Sequence, residues 1–350
     1  MSKMVTNSQS INQLIENHLK PIVKKVDEEA LYAKDYLYAL AHEGYFVRGN
    51  KTEEELLLDE ANIIYETAKV CLTTAFCAWC HLAALTYLRK TDNAFLHETL
   101  LPKLEAGEVL GATGLSNPMK YYSGLEDLHL KAEAVEGGYV INGVLPAVSN
   151  MQPEHFFGAI AKLPDREVMV ILQGNTDGIE LKEKVGFAGV NGSATYSIRF
   201  ANVFVPTARV ISENAKEFCD LIRPTFIYYQ IPIGFGVMTA SAEGIQKIKN
   251  KQNGCNEYLS QDADSITVQV EAYQTRLNQL TSNLMLKDVV ALRLDTVYAT
   301  LNATQANMLH NGSPGYVEGS VPYRKLREAY FFANLTPTVR HLEKLSVNLK

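Results

Sequence analysis

The chain has 350 residues, 47% of them hydrophobic and 21% charged, with a formal net charge of −6, the balance of an ordinary globular protein. That length suggests two or three domains, and the acidic balance leaves no basic footprint for nucleic acid. Five cysteines, Cys71, Cys77, Cys80, Cys219 and Cys255, are too few and too unevenly placed for a disulfide framework, so a reducing, cytoplasmic setting is expected.

The chain opens on MSKMVTNSQSINQLIE, which is polar and lacks the apolar run of a signal peptide. From there to about residue 108, apolar residues recur every three or four positions, as in EEELLLDEANIIYETAKVCLTTAFCAWCHLAALTYLRK, and predict helices with stops at Gly44 and Gly107. Between 109 and 212 the pattern changes to short β-type runs, among them LHLKAEAV, GYVINGV, EVMVILQ and YSIRFANVFV, divided by the turn pairs Gly137-Gly138 and Asp177-Gly178. After Pro206 the helical spacing returns in long segments suited to an antiparallel bundle. The most apolar of them, RPTFIYYQIPIGFGVMTASAEG, is interrupted by Arg223, Gln230 and Pro232 and falls short of the ~20 apolar residues of a membrane span. Near the end, LREAYFFANLTPTVRHLEKL reads as two helices parted at Pro337, with Asn334, Thr336 and Thr338 on the turn. The expectation is an α+β fold: an N-terminal helical domain (1–108), a small antiparallel β-barrel or sandwich (109–212) and a C-terminal four-helix-type bundle (213–350).

Few residues announce chemistry. Cys77-Ala-Trp-Cys80 lacks two further ligands at comparable spacing and reads as core, so no metal site is expected. No glycine run follows a strand and opens a helix as a dinucleotide fingerprint does. Glu328 reads as solvent-facing or paired with Arg324 one turn back. Tyr228 and Tyr229 either line a slot or belong to the core.

The order helix, strand, helix, together with LLPKLEAGEVLGATGLSNP, HLKAEAVEGGYVINGV, KVGFAGVNGSATYSIRFANVFVP and GSPGYVEGSVPYRKLREA, resembles the acyl-CoA dehydrogenase family over nearly the whole chain. The resemblance implies two helical domains around a β barrel, FAD (or FMN) held between barrel, bundle and a neighbouring subunit, and a homodimer or homotetramer. It also implies a small-molecule substrate such as an acyl-CoA, and an electron-transfer protein or a flavin reductase as partner. On the flavin motifs it places Ser116, then Ser149 and Asn150, with Ala147 where the family has a stacking Trp. It places Gly312 and Gly315 on the glycine element, Asn250 where an arginine reaches pyrophosphate, and Arg223 and Tyr228 beside the substrate. The family's catalytic Glu falls on Thr336, whose hydroxyl has no useful basicity, and the alternative Glu position is Ile222, so the resemblance is that of a divergent member whose base is not identifiable.

Three functions follow from the resemblance. One is a flavin-dependent oxidoreductase acting on CH–CH donors of an acyl thioester. Another is a flavin-dependent monooxygenase using reduced flavin, in which His81 pairs with Ser149, although His81 reads more readily as a structural histidine. The third is a non-catalytic relative that keeps the fold as a binding or assembly module.

Overall fold

The computed structural model describes residues 10–349; most of the polar stretch that lacks a signal-like run, residues 1–9, lies outside them. Helices come first: α1 (Ile11–Leu14), a π turn at Ile15–Leu19, a 3-10 turn at Lys20–Ile22, α2 (Val23–Glu28), α3 (Lys34–His42), α4 (Glu53–Val70), α5 (Leu72–Lys90), α6 (Ala94–Thr99) and α7 (Leu101–Glu105). Next come β1 (Gly111–Thr113), α8 (Ser116–Tyr121), β2 (Leu130–Val135), β3 (Gly138–Val148), β4 (Phe156–Lys162), β5 (Glu167–Gln173), β6 (Ile179–Glu183), β7 (Tyr196–Pro206) and β8 (Val210–Ser212). The chain closes with α9 (Ala215–Tyr228), α10 (Ile231–Ile248), α11 (Ala263–Leu280), α12 (Leu286–Asn311), α13 (Val321–Asn334) and α14 (Val339–Asn348).

The α+β expectation holds, with strands grouped between two helical blocks. The barrel does not. The sheet runs β6-β7-β3-β2-β4-β5-β8, with β1 beside β4, and its ends do not pair. Its two halves meet at Lys131 opposite Lys162 and at the bridge of Thr113 to Ser149, and the end strands β6 and β8 do not pair with each other, so the sheet is open. β2 and β3 form the expected hairpin, Val135 opposite Gly138, across Gly137 at φ 81°, a conformation that suits glycine. The sheet has its own core, including Ile141, Leu145, Phe157 and Phe200. The helices before and after it share another, which takes in Leu14, Ile63, Phe235 and Leu342.

The helical run predicted from Glu53 to Lys90 is two helices. Thr52 and Glu55 form a capping box at the start of α4, and Cys71 then adopts an extended φ/ψ of −147°/108° before α5 begins. Every residue of α5 from Leu72 to Leu88 is buried, as expected of a helix enclosed on all sides. The broken ends are satisfied by α13: Lys325 Nζ donates to Ala68 O at 3.0 Å, and Glu328 Oε1 accepts from Leu72 N at 3.2 Å. Glu328 therefore does not face solvent; it is 2% exposed and pairs with Lys325 Nζ at 2.8 Å as well as with Arg324 Nε at 3.7 Å.

The apolar segment after residue 215 also divides, with α9 ending at Tyr228 and α10 starting near Pro232, which has no N–H to give and suits a first turn. Gln230 lies at this break, fully buried. The turn expected at Pro337 separates α13 from α14, and the Thr336–Pro337 peptide is cis. Among the described residues no helix is long and apolar enough to cross a membrane, and no group of three or more His, Cys, Asp or Glu is placed to hold a metal.

Candidate functional site

β1, β3, α5, α9 and the α13–α14 turn converge on a cleft of about 180 Å³. Phe76, Trp79 and Cys80 come from α5, Phe226 from α9 and Phe331 from α13; Thr113, Ser116, Ala147 and Ser149 form the facing wall; Asn334, Leu335 and Thr336 complete it. The aromatic side is ordered by contact geometry. Phe76 stacks on Trp79 (centroids 5.7 Å, 16°) and meets Phe331 edge-on at 4.8 Å, while Trp79 meets Phe226 edge-on at 4.7 Å and donates its indole N–H to Phe226 O at 3.0 Å. Among the described residues no charged side chain lines the cleft. A groove of about 340 Å³ between α4, α10 and α11 is larger, yet it gathers only amides, one tyrosine and apolar groups and no titrating or nucleophilic set.

The Thr336 turn is held from behind. Arg293 Nε donates to Gln230 Oε1 at 3.1 Å, which fixes the amide so that Gln230 Nε2 donates to Thr336 O at 2.8 Å. Thr336 Oγ1 in turn lies 3.1 Å from Ser116 Oγ. Arg293 is fully buried, donates also to Phe332 O at 2.9 Å, and sits 3.6 Å from the Phe332 ring centroid. Burial lowers its pKa to about 9. Thr113, on the facing wall, bonds Tyr87 OH at 2.5 Å.

Ser116, Ser149 and Thr336 are thus brought together, and Ala147 stands beside them. The other expected site residues are not. Asn150 is fully buried at φ 59°, its amide donating to Gly111 O (2.8 Å) and accepting from Tyr32 OH (2.6 Å), so both polar atoms are used in the fold. Tyr228 is buried beside Tyr229, its hydroxyl without a hydrogen-bond partner among the described residues; Phe226, two residues earlier, lines the cleft instead. Arg223 lies outside the lining, 3.2 Å from Asp220. Gly312 and Gly315 belong to the turn after α12, where Gly312 borders a separate groove with Lys251 and Asn256. The expected pairing of His81 with Ser149 is not made. His81 is fully buried, its Nδ1 accepts from Gly111 N at 2.9 Å and its ring meets Phe46 at 4.5 Å, whereas Ser149 bonds Thr195.

Burial, then the fields of His155 and Arg89, lower His81 from its ordinary 6.5 to about 3. Burial, with Arg223, Lys344 and Lys120, lowers His341 to about 4. Both are neutral when folded and take a proton when unfolded below about pH 6.5, so their contribution is whole above that pH and is lost as pH falls toward the folded values. Replacing His81 by Asn keeps an acceptor for Gly111 N and removes the titration. The expected outcome is an acid-side slope of unfolding free energy against pH shallower by about 1.4 kcal/mol per unit between roughly pH 6 and 4; an unchanged slope in urea titrations counts against the buried neutral ring.

No family model matches the chain. Mitochondrial isovaleryl-CoA dehydrogenase of Arabidopsis thaliana is 24% identical over 221 residues, 59% of this chain and 54% of that protein. Butyryl-CoA dehydrogenase from Megasphaera elsdenii superposes with a TM-score of 0.87 at 17% identity, covering 97% of this chain and 95% of its own. The prolyl acyl carrier protein oxidase AnaB gives 0.83 at 15% identity, covering 97% of each chain. The chain spans about half the length of the first of these, a curated relative. Its fold is that of the acyl-CoA dehydrogenases.

Proposed function

We propose that the protein is an acyl-CoA dehydrogenase-like, flavin-dependent oxidoreductase that holds the ring of FAD in the cleft and takes an acyl thioester. The observation that carries this reading is the cleft itself: an aromatic side from α5, α9 and α13, a hydroxyl wall of Thr113, Ser116 and Ser149, and the Thr336 turn, in a fold shared with enzymes named for acyl-CoA oxidation. The residues suit the ring. At about 180 Å³ the cleft is smaller than the roughly 300 Å³ or more of a whole-ligand pocket, which fits one ring system with the rest of a dinucleotide outside.

When bound, a flavin supplies the acceptor for a hydride and its electron pair. Phe76, Trp79, Phe226 and Phe331 would hold a flavin ring and exclude water from it, and Ser116 and Ser149 would offer it hydroxyls. Thr336 orients a ligand carbonyl through its hydroxyl and does not act as a base at neutral pH. Arg223 and Tyr228 serve substrate binding only through movement of α9, since neither lines the cleft. A homo-oligomer, an electron-transfer partner and a cytoplasmic setting belong to this reading; buried thiols at Cys71, Cys77, Cys80 and Cys219, none of them in a disulfide, accord with the last.

A second reading, a non-catalytic relative, is favoured by the hydroxyl at Thr336 where proton abstraction needs a carboxylate. The monooxygenase reading keeps the missing Glu but loses the His81–Ser149 pair, since each bonds other partners. Reconstitution with FAD or FMN, removal of excess, and anaerobic addition of acyl-CoA thioesters tests the proposal. Retained yellow flavin that a thioester bleaches is expected. Retained flavin that no thioester bleaches supports the second reading, and a colourless protein after both flavins overturns the cofactor.

A further inference from the structure

Ser149 ends a short chain of hydroxyls. Its Oγ lies 2.7 Å from Thr195 Oγ1, which lies 2.7 Å from Ser193 Oγ. Ser193 is fully buried and Thr195 is 5% exposed. The surrounding backbone is anchored, with Asn150 N donating to Ser193 O at 2.9 Å and Met151 N to Ala194 O at 3.0 Å. Asn150, Val190 and Ala194 all hold positive φ, at 59°, 61° and 46°, a concentration of backbone strain of the kind that persists where the surroundings impose it.

Each hydroxyl has one proton to give and can accept. Ser193 Oγ has no other hydrogen-bond partner among the described residues, so its proton is satisfied only when given to Thr195. Were Ser149 to donate to Thr195 as well, the buried Thr195 proton would have nowhere to go. The arrangement that leaves no buried proton orphaned runs outward, from Ser193 to Thr195 to Ser149, and a buried orphan is costly. Ser149 then accepts from Thr195 and keeps its own proton for the cleft.

We infer that Thr195, which does not line the cleft and is backed by Ser193, is a positioning residue that makes Ser149 a one-way hydrogen-bond donor, so that the cleft selects a ligand atom that accepts there. This rests on the flavin reading above. The oxidised isoalloxazine edge presents acceptors at N5 and the C4 carbonyl, and two-electron reduction puts a proton on N5. A fixed donor therefore favours the oxidised edge, and freeing the chain to reverse relaxes that preference.

The test measures affinity for oxidised and for reduced FAD, and the midpoint potential of the bound flavin, in the full chain. Ser193→Ala leaves Thr195, among the described residues, with Ser149 as its only acceptor and so keeps the outward direction, whereas Thr195→Val removes the donor behind Ser149, so that Ser149 can accept. The expected result in Thr195→Val is a rise of roughly tenfold in affinity for reduced relative to oxidised flavin, equivalent to an upward shift of about 30 mV for a two-electron couple. Ser193→Ala and Thr195→Ser, which both keep a hydroxyl at 195 that donates to Ser149, retain the unaltered ratio. A merely structural role weakens both states together. Equal weakening of both, or an unchanged potential in Thr195→Val, overturns the inference while the flavin reading stands; no flavin binding by the unaltered protein removes both.

Discussion

Lys325→Met destabilises the fold by about 3–5 kcal/mol, the cost of leaving one member of a buried ion pair alone. Lys325 is fully buried, its Nζ is 2.8 Å from Glu328 Oε2 and 3.0 Å from Ala68 O. Burial lowers the lysine's pKa and the carboxylate opposes that shift. The pair also sits where helix dipoles favour it, the cation at the C-terminal end of α4 and the anion at the N-terminal end of α5. Without Lys325, Glu328 keeps, among the described residues, only Arg324 at 3.7 Å as a charged partner. Adding Glu328→Gln removes the uncompensated charge and keeps an acceptor for Leu72 N, so the double variant is expected to lose less than the sum of the two single losses. Urea denaturation of the four proteins checks both points; additive losses, or a Lys325→Met loss below about 1 kcal/mol, contradict the clamp. The clamp also bears on the site, because the helix it holds carries Phe76, Trp79 and Cys80.

Trp79→Ala has the next largest effect, about 3–5 kcal/mol for removing a buried indole, together with loss of flavin binding. The indole is 2% exposed, lies between Phe76 and Phe226, and supplies a hydrogen bond to Phe226 O at 3.0 Å. Truncation removes the middle of the aromatic side and leaves that carbonyl unpaired. Trp79→Phe separates the two contributions: it keeps a ring to stack and loses the donor, for an expected cost of about 1–3 kcal/mol with flavin binding weakened rather than abolished. Equal losses in the two variants would show that the hydrogen bond, and not the ring, matters there.

What could be read from the residues depended on how local the cause was. The α13–α14 turn was legible because Pro337 forbids a continuous helix. The break at Cys71 was not, since both helices keep apolar spacing across it and the groups that satisfy their ends, Lys325 and Glu328, come from a distant part of the chain. Strands showed in alternation and turn pairs, whereas closure depends on whether the end strands β6 and β8 meet. Ser116, Ser149 and Thr336 followed from motif resemblance. His81 was misdirected because α5 is buried all round, so no face of its sequence points to the cleft. Phe76 and Trp79, three residues apart, could have been paired by helical spacing, but aromatic residues at that spacing are usual in a core. Arg293 and Gln230 carried no signal: a guanidinium without an acidic partner in a helix bundle looks in sequence like a surface residue.

Trp79 is the protein's single tryptophan, and it lines the cleft, so its fluorescence reports directly on the ring proposed to sit there. Titration with FAD is expected to quench the indole emission in a saturable way at one flavin per chain, and Ser149→Phe, which fills the facing wall, is expected to abolish the quenching while the fold is retained. Undiminished emission in excess FAD and FMN, or quenching that Ser149→Phe leaves intact, would contradict a flavin in this cleft.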